Sequence, residues 1–379
     1  MNIGLMGFEF KSPNKGCEAL VYSFLSILKD NLKKDFIVYN FTGTELGVIP
    51  VYFDNIKFIN ISPRIRDFKA KYIRILTKCD YVFDVTMGDS FSDIYSKDYY
   101  NSLIKHKRIA ELFCKKYVLL PQTIGPFENA ESATKAEKVL HKAYKIYTRD
   151  EISKKLLEEK FKINNSILAT DMAFILPYDK ELYKFSSKKK LGINISGLLY
   201  KGGFHSENQF GLSLDYKELI NRLLAELTKR FEVHIIPHVV DLSENSYDDD
   251  YKICELMHKD YPDTTLAPAF ETPIEAKSYI CNMDIFIGAR MHATIAAFSS
   301  NVITIPISYS RKFEGLYGSL NYPFVVNARS ESTDSAFKLI LNYINCADEL
   351  SKSQGASMYE INRKIQSFEK SILELMEEK

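Results

Sequence analysis

Paired cysteines, a long apolar run, an excess of charge of one sign and a glycine-rich loop at the first strand are all missing from this 379-residue chain. Each absence removes a class of function. The six cysteines, at 17, 79, 114, 254, 281 and 346, form no C-x-x-C, which argues for reduced thiols in a cytoplasmic protein and against a structural zinc site. A formal net charge of +1 gives no global attraction to nucleic acid, so none is expected as a partner. No apolar stretch approaches the length of a membrane span. The start runs from Met1 directly into NIGLMG without a basic region, apolar core or cleavage site, so no signal peptide is expected. A P-loop or dinucleotide fingerprint would show its glycines near that first strand. No D-x-D with its usual neighbours and no His or Cys cluster at ligand spacing occurs, so no metal and no cofactor are expected.

What remains is an ordinary soluble composition, 46% apolar and 26% charged, on a chain long enough for two domains. Strand-like and helix-like segments alternate: MNIGLMGF, then the helical CEALVYSFLSILKDNL, then DFIVYNF, DYVFDVTMGD and KYVLLPQTIGPF, with helical patterns at 98–116 and 130–143. Such alternation predicts parallel βαβ units with helices on both faces. After Pro177 the pattern lapses into the lysine-rich YDKELYKFSSKKK, and a second alternating series opens at LGINISG. The expectation is an α/β protein of two Rossmann-like, doubly wound domains at 1–180 and 190–350, resembling the GT-B glycosyltransferase architecture. In such a pair ligands lie between the carboxyl ends of the two sheets. Met358, Ile361, Ile365, Phe368, Ile372 and Leu375 alternate spacings of three and four, so a C-terminal helix over 355–379 is expected to pack back on the first domain, with an intersubunit coiled coil as the alternative.

The sharpest local pattern is MDIFIGARMHATIAAF at 283–298: a short apolar strand, a glycine, then Arg290, Met291 and His292 opening a helix. Unpaired N–H groups and the helix dipole favour an anion at such a start. Arg290 and His292 would point into the same spot, although an isolated R-x-H also serves as a simple cap paired with a nearby acid. In the second half, Asn194, His238 and Lys312 all fall at or beyond strand ends, whereas His234 and His258 read as structural or surface histidines.

Three loops of the first half carry further candidates. In FKSPNKGCEAL, Asn14 and Gly16 precede a helix whose first turn holds Glu18; Gly16 reads as a backbone turn and Asn14 as a cap or ligand. TMGDSFSDIY gathers Asp89, Ser90 and Asp93 around Gly88, acceptors suited to the hydroxyl groups of a carbohydrate, although Asp89 equally fits a helix cap. PQTIGPF places Gln122 and Thr123 before a Gly-Pro turn. Arg149 and Asp150 are ambiguous, because Asp150 sits where an N-cap belongs.

In order, N-x-G-x-E-A-L, P-Q-T-I-G-P-F, T-R-D, T-D-M-A-F, G-I-N, I-P-H, G-A-R-M-H-A and the segment around Lys312 resemble the polysaccharide pyruvyl transferases, from Asn14 to about Gly318. The chain departs where many relatives carry a glycine triplet, reading Thr86, Met87, Gly88, Asp89. The resemblance implies transfer of the pyruvyl group of phosphoenolpyruvate, the co-substrate, onto two hydroxyls of one sugar to give a cyclic ketal. It implies a donor side of Arg290, Met291, His292, Asn194, His238 and Lys312, with His292 as proton donor. It also implies an acceptor side of Asn14, Gly16, Glu18, Asp89, Ser90, Gln122 and Thr123, with Asp89, Asp171 or Glu18 as base. The rivals are a GT-B glycosyltransferase with a nucleotide-sugar donor and a catalytically silent carbohydrate-binding protein. The implied acceptor is a cell-surface polysaccharide precursor, either free or polyprenyl-diphosphate-linked. Arg64, Arg66, Lys69, Lys71, Arg74 and Lys78 beside Ile65, Phe68, Tyr72 and Ile75 form a basic amphipathic stretch that fits either a solvated helix or peripheral contact with the inner face of a membrane.

Overall fold

The computed structural model describes the chain except for residues 33–34, 42–52, 54–55, 62–68, 204–207, 244–245, 247 and 378–379. Two compact units emerge. Unit 1 comprises Met1–Ser12, Leu20–Met172 and Arg363–Lys379; unit 2 comprises Pro13–Ala19 and Ala173–Asn362.

In unit 1, β1 (Asn2–Met6), β2 (Ile37–Asn40), β3 (Lys57–Asn60), β4 (Tyr81–Asp84), β5 (Tyr117–Gln122), β6 (Lys145–Thr148) and β7 (Ile167–Leu168) form one parallel sheet in the order β3-β2-β1-β4-β5-β6-β7. The order reverses at β1, so β1 and β4 flank the switch point at which α/β sheets open a crevice beyond their carboxyl ends. Helices α1 (Lys15–Asn31), α2 (Lys69–Leu76), α3 (Lys97–Phe113), α4 (Ala130–Leu140) and α5 (Glu151–Glu159) connect the strands. The central strands β4 and β5 are buried at every position, as strands covered on both faces must be. Val82, Leu119, Ile104, Val139 and Leu157 belong to this core.

In unit 2, β8 (Lys190–Asn194), β9 (Glu232–Ile235), β10 (Thr265–Leu266), β11 (Ile285–Gly288), β12 (Ile303–Ser308) and β13 (Val326–Asn327) repeat the pattern in the order β10-β9-β8-β11-β12-β13, again parallel. Its helices are α6 (Gly197–Tyr200), α7 (Tyr216–Leu227), α8 (Asp250–Asp260), α9 (Pro273–Ile280), α10 (Met291–Ser299), α11 (Arg311–Ser319), α12 (Thr333–Asn345) and α13 (Ala347–Glu377), the last of which runs on into unit 1. Both units are doubly wound α/β folds. Here β8 and β11 flank the switch point, and the segment after β11 is G-A-R-M-H-A.

The lysine-rich stretch after Pro177 groups with unit 2, because two of its aromatics are drawn into a core. Tyr183 and Phe185 pack on Tyr279 at ring separations of 5.1 and 5.0 Å, and Phe185 also meets His234 at 5.6 Å. His234 is buried and bonded to the Tyr279 hydroxyl, in keeping with a structural role. The C-terminal helix begins at Ala347, earlier than its apolar period suggests, and its last turns dock on unit 1. Phe368 packs edge-on against Tyr147 at 5.0 Å, Ser371 bonds the Tyr147 hydroxyl at 2.8 Å, and the Tyr81 hydroxyl donates to the Leu375 carbonyl at 2.7 Å. Of the basic amphipathic stretch, Arg64, Ile65, Arg66 and Phe68 lie outside the described residues; α2 buries Tyr72 and exposes Lys71 and Arg74.

Candidate active site

In unit 2 the apolar strand β11 ends at Gly288, where a Cβ would press on Thr294 Cγ2 at 3.0 Å; glycine lets α10 start tight against the strand. Arg290 occupies the N-cap position with extended backbone, and no side chain caps α10. Its N–H donates to Asn194 Oδ1 at 2.9 Å, while Asn194 Nδ2 donates to the Ile236 carbonyl at 3.0 Å. Asn194 is fully buried and cross-ties β8, β9 and the start of α10.

Arg290 is buried and clamped by two acids. Asp250 Oδ1 accepts from Nε at 3.1 Å and from Nη2 at 2.7 Å, and Asp248 takes the outer end of the guanidinium through Nη1 and Nη2. Burial alone would lower the arginine pKa, but Asp250 and then Asp248 outweigh it and hold the group charged. Asp250 also accepts from Gly197 N at 2.8 Å and from His238 N and Val239 N at 3.1 Å each. One carboxylate therefore ties the loop after β9, the start of α6 and the guanidinium together.

The loop after β1 joins this cluster. Asn14 and Val239 form an antiparallel bridge, flanked by Lys15 N to His238 O at 3.1 Å and Val240 N to Pro13 O at 2.9 Å. Asn14 Oδ1 accepts from Gly16 N at 3.0 Å as an N-terminal cap. Gly16 is not a left-handed turn residue but part of α1. What requires glycine there is the His292 ring, whose Nδ1 lies 2.1 Å from where a Cβ would be. The buried Lys15 ammonium donates to the Glu271 carbonyl at 2.9 Å and lies 3.5 Å from Glu18. His238 is buried, and its Nδ1 has no hydrogen-bond partner among the described residues. Desolvation first, then the charges of His292, Arg290 and Lys15, push its pKa well below the usual histidine value, so it is neutral. Lys312, in α11, lies within electrostatic reach of Cys17 in the same first turn of α1. Asn14, Gly16 and Glu18, expected with the first domain, thus stand beside His238 and His292 in unit 2, because backbone pairing with the segment after β9 draws the loop there.

Unit 1 holds a second constellation. Thr86, Met87 and Gly88, directly after β4, all take positive φ (45°, 51° and 86°), a conformation natural to glycine and strained for threonine and methionine. Buried Asp84 sustains it by accepting from Thr86 N at 2.9 Å and Thr86 Oγ1 at 2.8 Å, and Lys107 Nζ reaches Asp84 at 2.8 Å and Thr86 Oγ1 at 2.5 Å. Thr123 N bonds the Gly88 carbonyl at 2.8 Å. Arg149 Nε donates to Thr123 Oγ1 at 2.8 Å, and Arg149 Nη1 pairs with Asp171 at 2.9 Å. Asp171 is thus a buried ion-pair partner, poorly disposed to act as a mobile base. Asp150 caps α5 through Ser153 N at 2.7 Å. Gln122 is buried with its amide nitrogen on the Asp84 and Leu120 carbonyls, and its Oε1 has no partner among the described residues. Ser90 is buried. Asp89 is half-buried and accepts from the Tyr95 hydroxyl at 3.3 Å, whereas Asp93 anchors Glu128 N and Asn129 N.

The family model for polysaccharide pyruvyl transferase matches residues 14–311, most of the chain, and spans both constellations. This chain belongs to the polysaccharide pyruvyl transferase family. It is accordingly a transferase of polysaccharide biosynthesis. No curated protein matches its sequence significantly. Solved structures share its fold. A putative UDP-N-acetylglucosamine 2-epimerase from Listeria monocytogenes superposes with a TM-score of 0.60 at 12% identity, over 98% of this chain and 97% of that one. The UDP-GlcNAc 2-epimerase from Neisseria meningitidis gives 0.55 at 12% over 97% and 100%. The α,α-trehalose 6-phosphate synthase from Burkholderia multivorans gives 0.55 at 9% over 98% and 95%. These likenesses establish the GT-B-like fold.

For a pyruvyl transferase, the residues that sequence reasoning missed are Asp248, Asp250 and Lys15. The Asp248–Asp250 run formally satisfies D-x-D and opens a helix, a signal that points as readily to capping; Asp249 indeed caps α8. Lys15 is the unspecified position of N-x-G. Lys107 and Asp84 left no local trace, because a buried ion pair joins residues 23 apart.

Proposed function

We propose that this pyruvyl transferase moves the pyruvyl group of phosphoenolpyruvate onto two hydroxyls of a sugar in a cell-surface polysaccharide precursor, forming a cyclic ketal, with the donor held in unit 2. The supporting observation is the gathering of Lys15, His238, His292 and Arg290 at the uncapped start of α10. Buried cations and a helix N-terminus suit a ligand with both a phosphate and a carboxylate. Since Asp250 holds the Nε edge of Arg290, the donor's anion meets the outer edge, in competition with Asp248. His292 delivers a proton to the enol methylene; a sugar hydroxyl attacks the resulting oxocarbenium carbon, phosphate departs with its bridging oxygen, and the second hydroxyl closes the ketal. The two hydroxyl protons pass to a base, for which Glu18 and Asp89 remain candidates, and to the phosphate. The site is cytoplasmic in this reading, at or near the membrane if the acceptor is lipid-linked. No described helix is long and apolar enough to cross a membrane.

Incubation with phosphoenolpyruvate and candidate glycans, reading phosphate release and glycan mass, is the test. Stoichiometric phosphate and a glycan heavier by one pyruvyl ketal support the proposal. Turnover only with a nucleotide sugar transfers the case to a glycosyltransferase.

A further inference from the structure

A cavity of about 210 Å³ opens in unit 1 beyond the carboxyl ends of β1, β2 and β4, at the reversal of strand order. It is separate from Asp89, Ser90, Gln122 and Thr123, none of which lines it. Phe8, Phe41 and Tyr99 supply aromatic wall, and Glu9 and His106 are among its polar residues. One oxygen of Glu9 accepts from Ser12 Oγ at 2.9 Å, which leaves the other for a ligand. His106 Nδ1 lies 2.8 Å from the Ser102 carbonyl. A carbonyl only accepts, so that nitrogen carries the proton, and Nε2 of the neutral ring is an acceptor.

The chemistry of the wall narrows the ligand. Lys107, the one lysine among the described lining residues, is held by Asp84 and Thr86, so an anion would find two carboxylates and no available lysine or arginine among them. A wholly apolar ligand would strip water from Glu9 without replacing its hydrogen bonds. Acceptors beside aromatic faces call for a ligand that donates several hydroxyls and has one apolar face. Met87 also lines the cavity from the strained turn after β4, and such strain is retained where a site requires it.

We propose that this cavity is a subsite for a neutral pyranose ring, a sugar residue of the acceptor glycan, with Glu9 and His106 accepting ring hydroxyls and the half-buried Tyr99 facing its C–H side. The assignment rests on the proposed function for the identity of the glycan, but its test does not. Saturation-transfer NMR on the full chain, with methyl β-galactopyranoside and methyl α-mannopyranoside as probes, should show transfer to ring protons. Binding should weaken at least about fivefold in Glu9→Ala and in Tyr99→Ala, the effect of losing a charge-assisted hydrogen bond or an aromatic face. Glu9→Gln, which keeps an acceptor oxygen, should retain more binding than Glu9→Ala, and thermal melts establish that each variant is folded. Absence of transfer from both glycosides, binding unchanged in both alanine variants, or binding confined to glucosamine or inorganic phosphate would each overturn the subsite. Glycoside binding with these variant effects, in a protein that releases no phosphate from phosphoenolpyruvate, refutes the proposed function and leaves the subsite standing.

Discussion

His292 packs directly on Gly16: a Cβ at Gly16 would lie 2.1 Å from its Nδ1, 2.5 Å from its Cγ and 2.7 Å from its Cβ. The clash runs down to the root of the side chain, so rotating the ring plane cannot relieve it. Gly16→Ala is expected to displace the imidazole and cut kcat at least about tenfold, roughly 1.4 kcal/mol of barrier, in a folded protein. Steady-state kinetics with a thermal melt on the same preparation decide it. Unchanged kcat in a folded variant removes His292 from proton transfer.

The two acids on Arg290 should separate in effect. Asp250 is fully buried and serves four partners besides Arg290, so Asp250→Asn should destabilise the protein by about 3–5 kcal/mol, the usual cost of breaking a buried pair. Asp248 is partly exposed and, on the proposed donor site, would compete with the incoming anion, so Asp248→Asn should lower the KM for phosphoenolpyruvate about three- to tenfold with little change in melting temperature. Arg290→Lys should rescue little relative to Arg290→Ala, since an ammonium cannot serve two carboxylates and a planar anion. A higher KM in Asp248→Asn would show that this acid positions the arginine and does not compete with substrate.

In unit 1, Lys107→Met should leave Asp84 buried and uncompensated, with a loss of about 3–5 kcal/mol by chemical denaturation. Adding Asp84→Asn to Lys107→Met should recover part of that loss. If the single variant melts like the parent, the pair does not hold the Thr86–Gly88 turn.

His238 gives a signed pH dependence. Its folded pKa lies below the ordinary 6.5, so on acidification the unfolded chain takes up a proton while the folded chain does not. Stability is therefore complete above about pH 6.5 and falls as the pH drops below it. His238→Asn should flatten that acid limb in denaturant titrations at pH 5 to 7. An equally steep limb assigns it to other groups.

On the proposed donor site the charge of phosphoenolpyruvate would be met by side chains and a helix start, so activity should survive exhaustive chelation. Loss of phosphate release with EDTA, restored by magnesium or manganese, would contradict that reading.

Much of the fold was legible because its signals are local. Short apolar strands alternating with amphipathic helices identify parallel doubly wound sheets, and each βαβ unit declares itself within some thirty residues. Asp150 as a cap and the strand–glycine–arginine–helix passage at Gly288–Met291 were readable for the same reason. Tertiary structure alone decided the partners. Nothing near Asn14 announces that its loop pairs with Val239, nothing near Arg290 announces Asp250, and Lys107 looks like one more lysine of an amphipathic helix until Asp84 is placed beside it. Side-chain pattern reports which face of an element is buried; which buried charge meets which depends on strand order and register, and those are set by packing across residues distant in the chain.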